Sequence, residues 1–260
     1  MVPPLTLNRL SGTNSPDSSG GAPSICLCMI VKNEASIIRR CLASVLGHLS
    51  HWCIVDTGSM DGTQDIVREY MKGVPGSLHE RPWVDFATAR NDAMALASNS
   101  GCDFLMIIDA DEELECGPIN KPILVDVVQA EVRTKHGKEP RVWLVRNGYK
   151  GRWIGSIHED LEPFGVWAMA KGPFIKSHDD GARFKDPARV NNDLRVLFEE
   201  IKKDPKNPRN YYYLGATYLA AGDVEQAAKA FSFRLKMQGG NPREIELSKE
   251  ALTYILEAKP

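Results

Sequence analysis

Apolar residues along this chain fall into short unbroken runs separated by stretches of helical spacing. SICLCMIV, from Ser24, is the continuous apolar run that a strand covered on both faces needs. NEASIIRRCLASVLGHL follows, with Ile37, Ile38, Cys41, Leu42, Val45 and Leu46 sharing one helical face. HWCIVD predicts a second strand, TGSMDGT a turn, and TQDIVREYMK a second helix with Thr63 as its cap. FATARNDAMALASNSG predicts a third helix ending at Gly101, and DFLMIIDA a third strand. Strands alternating with helices at this spacing predict βαβ units and a mostly parallel sheet, an α/β fold. In such sheets ligands gather outside the carboxyl ends of the strands. KNE, DTGSMDG and DADEE occupy three of those ends.

From Cys116 to about Ala182 the pattern is less regular. RVWLVRNGY reads as a strand, GRWIGSIHEDLEPFG as a loop or hairpin, and GPFIKSHDDG as a short strand and turn. Beyond that the spacing is helical throughout, with Val190, Leu194, Leu197, Phe198 and Ile201 on one face and breaks at Gly222-Asp223 and Gly239-Gly240. This sets a domain boundary near residue 183: an α/β domain over 24–182 and a helical tail over 183–260. Residues 1–23, rich in Ser, Gly, Pro and Asn, are expected to form a disordered leader.

Composition narrows the function little. The 260 residues are 43% hydrophobic and 25% charged with a net charge of −2, so no basic footprint for nucleic acid is present. No apolar run approaches the roughly 20 residues that span a bilayer, and the first residues lack the charged and apolar regions of a signal peptide. A cytoplasmic protein, or one peripheral to a membrane, is expected. The six cysteines lack paired zinc spacing and read as buried free thiols.

The chemistry gathers in DFLMIIDADEELEC. Five apolar residues, Phe104 to Ile108, run into Asp109, Asp111, Glu112 and Glu113. Carboxylates so crowded shift one another's pKa unless something positive sits among them. A solvated helix N-terminus would tolerate them. A site for Mn2+ or Mg2+ would employ them, since Asp109 and Asp111 face the same side as the strand runs out.

CMIVKNEASIIRRCLASV, VDTGSMDGT, FATARNDAM and IDADEE, in that order, resemble a family 2 glycosyltransferase of the GT-A fold, a Rossmann-like nucleotide-diphospho-sugar transferase architecture. GRWIGSIHEDL and FIKSHDDG, followed by helices, resemble a subgroup that includes cytosolic bacterial transferases acting on lipopolysaccharide core or on peptides. Tyr211, Leu214, Gly215, Tyr218, Ala227 and Phe231 follow the spacing of one tetratricopeptide repeat, with a partial second after it. That tail is a candidate surface for a protein partner.

The resemblance, which covers about 24–235, implies an inverting, metal-dependent transfer from a nucleotide-sugar donor, with UDP expected, to a glycan, lipid-linked saccharide or peptide. It implies that Asp111 binds the metal, joined by His158 and His178, and that Asp109 lies near the ribose. Asp56 would read the base, with Val31, Asn33 and Glu34 around the nucleoside and Arg90 and Asn91 beside the nucleotide. Glu159 would be the base that activates the acceptor, with Asp160 as its competitor and His158 beside both. Two other readings compete: a nucleotidyltransferase, which would need a Gly-rich basic loop that VKNEAS is not, and an inactive scaffold that binds partners through its helices.

Overall fold

The computed structural model describes residues 6–11, 21–135 and 137–257. They group into two compact units, Met1–Gly155 with Glu159–Lys185, and Ser156–His158 with Asp186–Pro260.

The first unit contains eleven strands, nine of them in one sheet. In chain order the strands are β1 (Thr6–Ser11), β2 (Ile25–Val31), β3 (His51–Asp56), β4 (Gly76–Glu80), β5 (Phe104–Ile107), β6 (Glu112–Glu115), β7 (Val127–Thr134), β8 (Gly137–Arg146), β9 (Trp153–Ile154), β10 (Asp160–Leu161) and β11 (Trp167–Ser177). Nine of these form one sheet, ordered β1-β11-β7-β8-β5-β2-β3-β4, with β6 hydrogen-bonded to β11; β9 and β10 pair separately as a hairpin. The segment β4-β3-β2-β5 is parallel throughout. Strand β8 runs antiparallel between β5 and β7, which makes the sheet mixed. A parallel βαβ half joined through one reversed strand to further strands is the GT-A architecture that the motif order implied.

The helices of this unit are α1 (Ile38–Val45), α2 (Thr63–Tyr70), α3 (Phe86–Ala97) and the single turn α4 (Ala182–Lys185). Helix α1 buries Ile38, Cys41, Leu42 and Val45 in a core shared with Leu27, Met29, Ile54, Met106 and Trp143. The opposite sheet face packs Cys26, Cys28, Cys53 and Leu105 beneath Ala93, Met94 and Ala97 of α3. Central strands covered on both faces require unbroken apolar runs, which is why SICLCMIV and DFLMII show no alternation.

Several expectations need correcting. Thr6–Ser11, within the stretch expected to be a disordered leader, is a strand paired antiparallel with β11; the rest of 1–20 lies outside the described residues. Gly62 (φ +91°), not Thr63, is the N-cap of α2. The Thr63 hydroxyl accepts the Glu34 N–H at 2.8 Å and donates to Asp61 at 2.6 Å, so it fastens the turn after β2. Strand β4 was unexpected because GSLHE is short and barely apolar; pairing with β3 makes it an edge strand all the same.

The second unit holds α5 (Arg189–Lys203), α6 (Pro208–Ala220), α7 (Val224–Lys236) and α8 (Pro242–Glu257), broken where Gly222 and Gly239-Gly240 adopt positive φ. Ala227, Phe231 and Ile255 form its core. Gly215 is small for a reason: a Cβ there would lie 2.7 Å from the Phe231 ring.

Candidate active site

The carboxyl ends of β2, β3 and β5 are stitched together by short polar contacts. Asn33, held at φ +57°, donates its N–H to Ser59 Oγ at 2.8 Å and accepts the Met60 N–H on Oδ1 at 2.8 Å. The Val31 carbonyl takes both the N–H and the hydroxyl of Thr57. The Asp61 carboxylate accepts the Ala35 N–H at 3.0 Å. Asn33 and Val31 are therefore spent on shaping this end of the sheet.

Asp56 closes β3 and is wholly buried. Its Oδ1 accepts the N–H groups of Gly58 and Ser59 at 2.8 and 2.7 Å, while its buried Oδ2 has no hydrogen-bond partner among the described residues. An orphaned carboxylate oxygen inside a fold is costly, and one at a strand's carboxyl end suits a ligand N–H or hydroxyl.

At the end of β5 the acids are interleaved with arginines. Arg90, buried on α3, donates through Nε to Glu159 Oε1 at 2.5 Å and through Nη2 to both oxygens of Asp109, at 2.9 and 3.2 Å. Arg141 on β8 donates through Nη2 to Asp109 Oδ2 at 3.4 Å and to Glu112 Oε1 at 2.7 Å. The sequence Glu159–Arg90–Asp109–Arg141–Glu112 is thus a chain of alternating charge. Burial alone would raise the Asp109 pKa, but the two guanidiniums outweigh it and hold the carboxyl below its ordinary value. Glu112, 1% exposed, is pushed up by burial, with Arg141 opposing the shift.

Asp111 stands apart. Among the described residues its carboxylate enters no ion pair, and burial followed by the nearby Asp109 charge raises its pKa to about 6. Glu34 behaves alike: burial lifts it to about 7, although the Ala182 N–H is bonded to both its oxygens at 3.1 and 3.2 Å. Gly181 lies between these two acids, since a Cβ on it would meet Glu34 Oε1 at 3.3 Å and Asp111 Oδ2 at 3.4 Å. The loop carrying Gly181 is fixed by Arg40, whose Nη1 and Nη2 fork onto Asp180 at 3.0 and 2.8 Å.

The three residues expected to share a metal are not gathered into one cluster. His158 (φ +53°) belongs to the second unit, where its ring stacks on Tyr213 with centroids 4.2 Å apart. His178 donates its N–H to the Asp111 carbonyl but sets Nε2 3.1 Å from Glu113 Oε2. Among the described residues no three metal-capable side chains form a group. The residues fit a hard cation held through Asp111 and completed by phosphate oxygens and water, not a cage of protein ligands.

Of the remaining expected residues, Asn91 spends its whole amide on Trp153, donating to the carbonyl and accepting the N–H, both at 2.9 Å. It clamps the β9–β10 hairpin that carries Asp160 and, just before it, Glu159. Trp153 is buried against Met94 and under the Arg90 guanidinium, so it packs. Asp160 is exposed in β10, with its backbone paired to Ile154. Arg141 was missed by sequence reasoning; the only trace of it is an arginine at the mouth of an apolar run, RVWLV.

Residues 26–121 match the family model "Glycosyl transferase family 2". The chain is similar to the SPbeta prophage-derived glycosyltransferase SunS of Bacillus subtilis, 26% identical over 212 residues, 74% of this chain and 49% of that one. It is 42% identical over 91 residues to the TPR repeat-containing protein Synpcc7942_0270 of Synechococcus elongatus, covering 35% of this chain and 21% of that protein. Among solved structures, S. aureus TarS 1-349 aligns at 13% identity with a TM-score of 0.45, over 91% of this chain and 81% of TarS. The chain spans under half the length of the two curated relatives. Among the described residues no helix is long and apolar enough to cross a membrane. Glu34, Asp56, Arg90, Asp109 and Asp111 all lie within the residues that match this family model.

Proposed function

We propose that this protein transfers a sugar from a nucleotide-sugar donor, UDP-linked, to a hydroxyl- or amide-bearing acceptor on a glycan, lipid-linked saccharide or peptide, with inversion at the anomeric carbon. The observation that carries the reading is the division of labour at the end of β5: two arginines tie down Asp109, while the neighbouring Asp111 has no ion-pair partner among the described residues. A lone carboxylate among so many engaged ones suits a divalent cation, Mn2+ or Mg2+, arriving with a diphosphate. When bound, that cation would offset the charge of the departing nucleoside diphosphate.

The chain's own residues would supply the rest. Asp56 offers its unpartnered Oδ2 to the base, next to the turn shaped by Asn33 and Val31. Arg90 fixes Glu159 through Oε1, which leaves Oε2 to take the acceptor's proton as its oxygen or nitrogen attacks. Orientation and electrostatic preorganisation then account for catalysis without a covalent intermediate.

Calorimetric titration with UDP, GDP, CDP and dTDP, each with and without Mn2+, tests this. UDP should bind, and bind more tightly with the metal. Absence of binding by all four would move the assignment to an inactive scaffold.

A further inference from the structure

Arg141 lies beyond the segment matched to the family, on a strand that carries none of its motifs. Its position follows from register. Strand β8 pairs with β5 antiparallel through Phe104 with Arg146, Leu105 with Val145 and Met106 with Leu144. The ladder ends there, and β8 is irregular at Trp143 where it pairs with β7, which brings Arg141 beside the turn that follows β5. The contact is realised: Arg141 Nη2 lies 3.4 Å from Asp109 Oδ2 and 2.7 Å from Glu112 Oε1.

Glu112 in turn closes the turn onto itself. Its Oε2 accepts the Asp109 N–H at 2.9 Å, and its own N–H donates to the Asp109 carbonyl at 3.1 Å. A glutamate 1% exposed is costly to ionise without a cation beside it, and Arg141 is that cation. With Arg90 holding Asp109 from the other side, both acids flanking Asp111 are immobilised.

We infer that Arg141 is a positioning residue of the donor site, fixing the turn from Asp109 to Glu112 so that Asp111 alone is presented to the phosphates of the donor. This rests on the donor-site reading above. Arg141 reaches the ligand through the turn, not by touching it.

The test separates positioning from mere charge balance. Arg141→Met alone should lower the melting temperature, because Glu112 is left buried without a cation. Adding Glu112→Gln removes that charge and should restore the melting temperature. In the double variant, UDP measured calorimetrically with Mn2+ should still bind at least about tenfold more weakly than to the wild type. Amide exchange at 109–112 should be at least about tenfold faster there, with β2 and β3 unchanged. Glu112→Gln alone sets the baseline for the double variant, so that the affinity lost between the two belongs to Arg141. If the double variant bound UDP as the wild type does, Arg141 would serve only to neutralise Glu112 and the inference would fall. A wild type that binds no nucleotide would instead remove the donor-site reading, and wild-type exchange rates at 109–112 in the double variant would then overturn the role of Arg141 independently.

Discussion

At the residue scale, the site is defined by which carboxylates are already answered. Asp109 has two guanidiniums, Glu112 has one, Glu113 faces His178, and Asp111 has no such partner among the described residues. Asp111→Ala should therefore abolish the metal-enhanced part of UDP binding while leaving the fold intact, since no ion pair is broken; calorimetry with and without Mn2+ reads this directly. Unchanged enhancement would take Asp111 out of the phosphate site. Glu159→Gln keeps a hydrogen-bonding oxygen near Arg90 but loses its basicity, so UDP should bind normally while transfer falls by about a hundredfold or more. Full transfer activity in that variant would give the proton to another group, with Asp160 the first to examine. Much of this constellation was legible in the sequence, because Asp56, Asp109 and Asp111 lie in motifs at strand ends and Arg90 in the FATARNDAM motif of a helix. What was not legible is pairing across the sheet. Nothing in RVWLV says which acid 30 residues earlier its arginine will meet, and nothing in RNDA says that Asn91 will clamp Trp153.

At the scale of elements, legibility tracked how strongly each run was patterned. Strands β2, β3 and β5, continuous and apolar, were evident; β4 was not, and β7 went unseen in VVQAEVRT, where Val128, Ala130 and Val132 alternate with polar residues and give a weaker signal than an unbroken apolar run. The α6–α7 hairpin was read from the repeat-like spacing of Tyr211 to Phe231, and Gly215 within it is subject to two opposed effects. Helix propensity alone would make Gly215→Ala stabilising by about 1 kcal/mol. The new Cβ, however, would sit 2.7 Å from a Phe231 ring that is only 2% exposed and has little room to retreat. Overpacking of that kind costs about 1–3 kcal/mol, so the clash should win and the substitution should lower the urea midpoint of the helical unit. A raised midpoint would mean that Phe231 can turn aside and that the close crossing is not what selects glycine.

Across the whole molecule, the cysteines give stability a pH signature. All six are free, and all but Cys116 are buried. Burial pushes Cys53 up to about 11 and Cys26 and Cys116 up to about 12, and it raises Cys28 and Cys41 as well. The folded state therefore keeps these protons where the unfolded chain, with thiols near 9, gives them up. A group whose folded pKa is raised contributes fully below the unfolded value and loses that contribution as pH climbs through the folded one. Stability should thus hold to about pH 9 and then decline, each fully retained proton adding about 1.4 kcal/mol per pH unit to the slope. Lysines and tyrosines titrate over part of the same range, so the decline by itself is not diagnostic. Replacing Cys28 and Cys41 with alanine isolates the thiol share: under reducing conditions, the double variant's unfolding free energy should fall less steeply than the wild type's between pH 9 and 11. Parallel curves would show that these two thiols ionise alike in folded and unfolded chains. The same burial predicts that a thiol reagent at pH 8 will label native protein slowly and at Cys116 first, the one sulfur that solvent partly reaches, with the others reacting only as the sheet opens.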